Sequence, residues 1–315
     1  MTSSFFSSDN HLIVMARQAR VRWPHRLDKL YPVVVILVGL FIGVGSTLVF
    51  TLFALALHRT GILDFLMNNE NPNVARASTL IFGFLSMIFL VWLWLWIMER
   101  RSLRTIGLQR SGFGRQYVRG VLVGFLLITV IVAVMAITGS ARLSSVDLSG
   151  AAIAGIAIMF LGWMVQGGAE EILARGFLMP VIGARWGVAL GVILSSLIHA
   201  YLHIQNPSVN PLAMSNLILL AVFFSLYALA EESLWGVMGV HAAWNWTQGN
   251  IFGLEVSGTT SYDTSHLMQW RIAGPDWLTG GGFGPEGSAI TFVILIIGSL
   301  LVITFALRRR KQSAS

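Results

Sequence analysis

Residues 150–176, GAAIAGIAIMFLGWMVQGGAEEILARG, form an apolar segment that ends in two adjacent carboxylates and, four residues further on, an arginine. The part before Glu170 carries no charge and is long enough to cross a hydrocarbon core of ~30 Å as a helix. Acidic side chains are costly in or beside such a segment and by default mark a functional site. Only 14 acidic residues occur among 315, so the pair Glu170 and Glu171 is the first candidate.

The whole composition is that of a membrane protein: 55% of the residues are hydrophobic, 11% are charged, and the mean hydropathy is +0.74. Apolar stretches of membrane-spanning length predict an all-α, polytopic transmembrane helix bundle of about eight spans, with a conical or open polar cavity inside it. The stretches cover approximately residues 33–57, 78–98, 120–139, 150–169, 186–204, 212–230, 233–252 and 288–307. We expect three parts: a basic N-terminal segment with three helices (1–149), a catalytic core (150–255), and a Gly-rich loop with the last helix and a basic tail (256–315).

The positive charge of the chain is unevenly distributed. All but four of the 21 Lys and Arg residues fall in segments that the eight-span topology places on the side of both termini. This bias predicts cytoplasmic termini and an integral protein of the plasma membrane, and it attributes the net charge of +7 to contact with the lipid bilayer and not with nucleic acid. The chain has no cysteine, which excludes disulfides, cysteine nucleophiles and thiolate metal sites.

Polar residues inside the apolar stretches collect in three places. They are Glu170, Glu171 and Arg175 on the fourth stretch, His199 and His203 on the fifth, and His241 and Asn245 on the seventh. Residues four apart share one face of a helix, and polar faces in a membrane turn toward the bundle interior. We therefore expect the three patches to meet in one cavity.

The two adjacent carboxylates are predicted to have different roles. Glu171 and Arg175 are four apart, with the acid first, which favours an ion pair. Glu170 points about 100° away around the helix and lacks that partner, so it is the candidate general base. The alternative is that both acids are simply solvated at a helix end. A second acidic pair, Glu231 and Glu232, is interpreted as a solvated boundary or as part of the cavity mouth.

The histidines and the asparagine supply the other parts that hydrolysis of an amide requires. His203 can orient the water that Glu170 deprotonates, while His241 and Asn245 can donate hydrogen bonds to the oxyanion. The alternative is that these histidines are packed side chains with satisfied hydrogen bonds. Glu170, His203 and His241 could also hold a zinc ion with one open coordination position. Between the two chemistries we favour water activation without a metal.

These motifs resemble the CPBP intramembrane proteases, which include the type II CAAX prenyl endopeptidases and bacteriocin-immunity proteins. The resemblance covers about residues 150–255 and rests on Glu-Glu-x-x-x-Arg at 170–175, His203 followed by Asn-Pro at 206–207, and His-x-x-x-Asn at 241–245. The family's Phe-x-x-x-His motif, aligned on His203, places His199 where phenylalanine is usual. His199 is therefore an additional polar group, which we group with Glu171 and Arg175 as supporting residues.

The resemblance implies an endopeptidase acting on a membrane-associated protein or peptide, of which a prenylated CAAX protein is one precedent. It implies that the first glutamate is the general base, that histidine is its partner, and that the later His and Asn stabilise the oxyanion. The family is often described as metal-dependent. Two other functions stay open: an immunity or binding protein without catalysis, and a proton-coupled transporter, since intramembrane Glu and His also form proton relays.

The eight-span topology contains one geometric conflict. It places Glu170 near the inner end of its helix and His203 near the outer end of the next, too far apart to share a water molecule. We expect the fourth helix to continue to about Pro180, which lowers Glu170 by ~15 Å into the membrane; a short or tilted fifth helix is the alternative. The Gly-rich loop at 253–287 is interpreted either as a lid over the outer face or as a plain connector.

Overall fold

The computed structural model describes residues 7–57, 60–259 and 263–314, and these residues form a helical bundle. Its helices are α1 (His11–Arg17), α2 (Tyr31–Leu57), α3 (Ile62–Met67), α4 (Pro72–Trp94), α5 (Phe113–Ile137), α6 (Gly150–Glu171), α7 (Met179–Trp186), α8 (Val188–Tyr201), α9 (Pro211–Glu231), α10 (Trp235–Trp246), α11 (Asp276–Thr279) and α12 (Ala289–Ala314). Strands β1 (Ala141–Val146) and β2 (Met268–Ile272) pair antiparallel. Three π-helical turns follow α4, α6 and α10, at Leu95–Glu99, Ile172–Leu178 and Thr247–Ile251.

The protein is an integral membrane protein, but the predicted number of spans is wrong. Each of the eight predicted stretches is helical, yet six helical runs in the described residues are long and apolar enough to cross a membrane. They are His25–Ala56, Pro72–Glu99, Phe113–Ile137, Gly150–Trp186, Pro211–Glu231 and Ala289–Arg308. The helices α8 and α10 have 14 and 12 residues, and at 1.5 Å per residue each falls well short of ~30 Å.

The helix that carries the acidic pair continues far beyond it. The run from Gly150 to Trp186 is 37 residues long, as the expected extension past the charges requires. The helix continues because the residues after the pair, from Ile172 to Ile182, are buried and, apart from Arg175, apolar. Gly187, with φ 100°, then turns the chain into α8. Positive φ is a conformation that glycine adopts at no steric cost.

The turn at Gly187 sets the relative height of the predicted site residues. Glu170 lies about 17 residues before this turn and His203 about 16 residues after it. The two neighbouring helices run in opposite directions, so equal distances from the turn place both residues at about the same depth, ~25 Å from it. The longer fourth helix and the short fifth helix thus remove the conflict together.

Helix α10 is buried on all sides because small residues let its neighbours approach. A Cβ atom at Gly120 or Gly124 of α5 would overlap the backbone of α10 at Gly236 and Val240. On the other side, a Cβ at Gly167 of α6 would lie 3.1 Å from the backbone nitrogen of Ala242. Such close approaches are typical of packed membrane helices. They hold His241 between α6 and the remaining bundle.

The loop between α10 and α12 is folded and attached to the bundle. Strand β2 in this loop pairs with β1, the strand that precedes α6. The carboxylate of Glu286 accepts hydrogen bonds from the indole of Trp244 and from the backbone and hydroxyl of Ser257. The side chain of Asn216 on α9 donates to the carbonyls of Glu286 and Ser288. The loop is therefore anchored to two helices at once.

Candidate active site

A cavity of about 440 Å³ opens inside the bundle, and all three predicted polar patches contribute to its wall. The site residues that line it are Glu170, His199, His203, His241 and Asn245. They come from α6, from α8 with the turn after it, and from α10. Most of the other lining residues are apolar, and they come from α2, α4, α6 with the π-helical turn after it, α8 with the turn after it, α9 and the outer loop. Carboxylate and imidazole groups are thus gathered in an apolar surrounding.

Glu171 and Arg175 form the expected ion pair, and both side chains are completely buried. Arg175 Nη1 lies 3.0 Å from Glu171 Oε1. The other guanidinium nitrogens donate to Ser225 Oγ at 3.3 Å and to the carbonyl of Ala221 at 2.7 Å, both on α9. The guanidinium also lies over the ring of Phe224, 5.4 Å from its centroid. A buried charge needs such partners, so this pair fastens α6 to α9.

Glu171 also holds His241. His241 Nδ1 lies 2.9 Å from Glu171 Oε1, the oxygen that Arg175 contacts. Because a carboxylate paired with arginine accepts hydrogen bonds, Nδ1 of the imidazole carries the proton. The second nitrogen, Nε2, then faces Glu170 Oε2 at 3.8 Å. One buried carboxylate therefore sets both the orientation and the tautomer of this histidine.

His203 is oriented by a backbone carbonyl. Its Nδ1 lies 2.9 Å from the carbonyl oxygen of His199, and since a carbonyl only accepts, Nδ1–H is the donor. Nε2 is left with its lone pair and lies 3.9 Å from Glu170 Oε2. The ring of His199 packs beside it at 4.9 Å, centroid to centroid. Glu170 Oε2 thus faces two imidazole nitrogens, one from α10 and one from the turn after α8.

Glu170 is held by an amide that lies outside the sequence motifs described above. Gln166 Nε2 donates to Glu170 Oε1 at 2.6 Å, and Asn245 Nδ2 donates to Gln166 Oε1 at 2.8 Å. The second oxygen, Oε2, is buried and has no hydrogen-bond partner among the described residues. Gln166 precedes Glu170 by one helical turn, so the i, i+4 rule already applied to Glu171 could have identified it.

The geometry also bears on the candidate metal ligands. Among the described residues, the ligand atoms of Glu170, His199 and His203 lie within 4.8 Å of one another. His241, a member of the set expected from the sequence, is not in this group, although its Nε2 lies 3.8 Å from Glu170 Oε2. One carboxylate and two imidazoles are a donor set that suits zinc, with room for a fourth ligand.

Two charged residues of the cavity wall were not foreseen. Arg76 on α4 and Glu286 of the outer loop both line the cavity. Glu286 is buried and makes the loop contacts described above. Val256 and Ser257 of the same loop also line the cavity. The loop is therefore part of the wall and not only a connector. By contrast, the acidic pair at 231–232 does not belong to the cavity wall.

Comparison with known families agrees with this site. Residues 152–247 match the family model of the Rce1-like type II CAAX prenyl endopeptidases. These residues form a domain of that family. The matched segment runs from α6 to the π-helical turn after α10 and contains Glu170, His203, His241 and Asn245. Searches of curated proteins and of solved structures found no match. At the level of the family, this match supports a membrane-embedded protease of the CAAX-protease type.

Proposed function

We propose that this protein hydrolyses a peptide bond of a membrane-associated protein or peptide with a water molecule that Glu170 activates. The observation that carries the proposal is the unpartnered Glu170 Oε2, which lies 3.8 and 3.9 Å from the Nε2 atoms of His241 and His203. These distances are too long for direct hydrogen bonds. They suit a water molecule that bridges the carboxylate and an imidazole.

The reaction begins with transfer of a proton from water to Glu170 Oε2. The lone pair at His203 Nε2 accepts the other hydrogen of the water and thereby orients its oxygen toward the carbonyl carbon of the substrate. The new C–O bond turns the carbonyl into an oxyanion. Glu170 then passes its proton to the leaving nitrogen as the C–N bond breaks, so the carboxylate is regenerated.

The oxyanion requires hydrogen-bond donors, and the two candidates differ. Asn245 Nδ2 uses one hydrogen for Gln166 and has a second one available for the oxyanion. His241 presents a lone pair at Nε2 when it is neutral, so it donates there only as an imidazolium. The Glu171 carboxylate at Nδ1 stabilises that charged form, as the aspartate does in a serine protease triad. Asn245 is therefore the permanent donor, and His241 becomes one when it is charged.

The same residues would accommodate zinc. Glu170, His199 and His203 would hold the ion, which would supply a bound water of lowered pKa and polarise the substrate carbonyl. We propose the metal-free reaction because every group it needs is already oriented: the base by Gln166, the imidazoles by Glu171 and by a backbone carbonyl. The metal content of the purified protein therefore distinguishes the metal-free hydrolysis from the zinc-dependent one.

The cavity wall supports an apolar substrate. Leu80, Phe84 and Met87 of α4 face the same cavity as Leu217 and Leu220 of α9. Such walls accept apolar side chains on either side of the scissile bond, whether or not the substrate carries a prenyl group. We further propose that the protein works in the plasma membrane with both termini in the cytoplasm, which the uneven distribution of Lys and Arg supports.

The decisive experiment compares the cleavage of membrane peptides by the wild-type protein and by active-site variants. Purified wild-type protein and the Glu170→Ala and His241→Ala variants are reconstituted into vesicles with a membrane-peptide extract, and mass spectrometry identifies new peptide ends. We expect ends that depend on the wild-type protein and are absent with either variant. Identical ends with Glu170→Ala would remove the catalytic assignment. No new ends with folded wild-type protein would favour the immunity or binding function.

Metal dependence is measured on the same preparations. Elemental analysis of the purified protein and addition of a chelator test the metal-free reaction. We expect substoichiometric zinc and cleavage that is unchanged by the chelator. Stoichiometric zinc, with cleavage that the chelator stops and zinc restores, would replace the metal-free proposal by the zinc form.

A further inference from the structure

A second cavity, of about 590 Å³, shares no lining residue with the catalytic cavity and is strongly basic. Its lining includes the cationic or titratable side chains Arg17, Arg20, Arg22, His25, Arg100 and Arg185. Within the described part of the chain, its lining has one acidic residue, Asp28, which already contacts Arg185 Nε at 3.1 Å. The positive charge of this cavity is therefore largely uncompensated by the described residues around it.

Buried guanidinium groups at this place lack acceptors. The side chain of Arg185 is 7% exposed, and its Nη1 atom has no hydrogen-bond partner among the described residues. The side chain of Arg101, which lines a groove next to the cavity, is 4% exposed, and neither of its Nη atoms has a partner there. Leaving a buried donor unsatisfied is unfavourable. Such donors point to an anion that completes the site.

A network of side chains holds these arginines in place. The guanidinium of Arg185 lies over the ring of Tyr31, 4.7 Å from its centroid. The hydroxyl of Tyr31 donates to Glu99 Oε1 at 3.1 Å, while Glu99 Oε2 lies 2.6 Å from Arg101 Nε. The backbone N–H of Arg22 donates to the carbonyl of Met98 at 2.7 Å, which attaches the N-terminal segment to the end of the second span. The side chains of Arg185 and Arg101 are thus held in place by the protein itself.

The groove beside the basic cavity is aromatic and apolar. The two share Arg22 and Arg100, and the groove adds Trp92, Trp96 and Ile97. The rings of Trp92 and Trp96 are stacked at 5.8 Å with an interplanar angle of 2°, and both side chains are exposed. Tryptophan with arginine at the end of a span is typical of the boundary between lipid and water.

The ends of the spans place this site at the membrane boundary. Three of the candidate spans begin or end beside it, at His25, Glu99 and Trp186. A ligand in this position meets a charged pocket on one side and an aromatic groove along the bundle surface on the other. The arrangement matches a molecule with an anionic phosphate head and an apolar tail.

The basic cavity and the aromatic groove together form one cleft. We propose that this cleft binds an anionic phospholipid, with its phosphate among Arg22, Arg100 and Arg185 and an acyl chain along Trp92 and Trp96. Guanidinium groups bind phosphate through hydrogen bonds from their nitrogens, and Arg185 Nη1 is a donor with no partner among the described residues. A free phosphate would satisfy the same arginines but would leave the tryptophan groove unused. The phospholipid therefore explains both halves of the cleft.

Binding is measured by native mass spectrometry of the purified full-length protein in an uncharged detergent. Phosphatidylglycerol and phosphatidylcholine are titrated separately into wild type, into the double variant Arg22→Gln, Arg100→Gln, and into the double variant Arg142→Gln, Arg271→Gln. The last variant removes the same charge from two exposed arginines that face each other on β1 and β2. Arg22 and Arg100 are exposed as well, so the fold does not depend on them.

We expect wild type to prefer phosphatidylglycerol, and the cleft variant to bind it about tenfold or more weakly, as removal of two interfacial charges predicts. The strand variant should retain wild-type affinity. Equal affinity of the cleft variant and wild type, or an equal loss in the strand variant, would overturn the proposal. Displacement of the lipid by glycerol phosphate at the same concentration would overturn the lipid assignment in favour of a free phosphate ligand.

Discussion

The two acidic pairs of this protein look alike in the sequence and differ in the structure. Glu170 and Glu171 lie at the end of α6, and Glu231 begins the second pair at the end of α9. In each pair one carboxylate contacts an arginine, at 3.0 Å in Glu171 with Arg175 and at 2.6 Å in Glu231 with Arg119. The remaining carboxylates, Glu170 and Glu232, lie in different surroundings.

The path of the chain after each pair causes the difference. After Glu171 the helix continues through an apolar π-helical turn, so Glu170 stays on a helix face inside the bundle. After Glu231 the chain leaves the helix, and Glu232 adopts a left-handed conformation with φ 53°. Arg175 is 0% exposed, whereas Arg119 is 42% exposed. Two adjacent carboxylates therefore do not by themselves indicate a polar site inside the bundle; an apolar helix that continues beyond them does.

The largest expected effect is on catalysis. Glu170→Gln keeps the shape of the side chain and an acceptor for Gln166 but removes the base, so we expect cleavage in vesicles to fall about 10²- to 10⁴-fold. Glu231→Gln, the matched change in the other pair, should leave the rate near that of wild type. A Glu170→Gln rate within about tenfold of wild type would show that Oε2 is not the base.

The next effect is on stability, and it compares the two ion pairs directly. Glu171→Gln leaves the fully buried Arg175 without its counter-charge, which costs about 3–5 kcal/mol. Glu231→Gln leaves an arginine that solvent reaches, which costs about 1 kcal/mol or less. The thermal unfolding midpoint of each purified variant in the same detergent measures the difference. Similar losses for both variants would mean that burial does not separate the two pairs.

Asn245→Ala tests the wall of the catalytic cavity, which Glu170 of the first acidic pair lines and the second pair does not. It removes the proposed permanent donor to the oxyanion, and we expect kcat to fall about 10²- to 10³-fold while KM changes little. Gln166→Ala serves as the comparison, because it removes the amide that contacts both Glu170 and Asn245 but keeps the Asn245 side chain itself. A loss in Asn245→Ala that appears in KM alone would assign Asn245 to substrate binding instead of to the transition state.

The smallest effect concerns the turn after the second pair. Glu232→Gly removes the Cβ from a left-handed residue, and we expect a gain in stability of at most about 1 kcal/mol with unchanged cleavage. Glu232→Ala keeps the Cβ and should bring no such gain. If both variants shift the unfolding midpoint equally, the effect belongs to the side chain of Glu232 and not to its backbone.

Much of the bundle is predictable from the sequence. The eight apolar stretches are all helical, because their composition leaves no other way to satisfy the backbone in lipid. The ion pair of Glu171 with Arg175 is predicted by the i, i+4 rule alone. The number of spans is not predictable in this way, because window hydropathy does not register the short lengths of α8 and α10. Window hydropathy alone does not show that α6 continues past its charges, because the charges end the apolar window; the expected continuation to about Pro180 followed instead from the depths of Glu170 and His203.

The membrane class, the local pairing of Glu171 with Arg175 and five of the residues that line the cavity are predictable from the sequence alone, since each depends on composition or on one helical turn. The common depth of Glu170 and His203, the orientation of His241 by Glu171, and the link from Glu170 through Gln166 to Asn245 become visible only in the packed bundle. These relations join residues far apart in the chain. They depend on helix lengths and on close crossings at glycine, which arise only when the helices pack together.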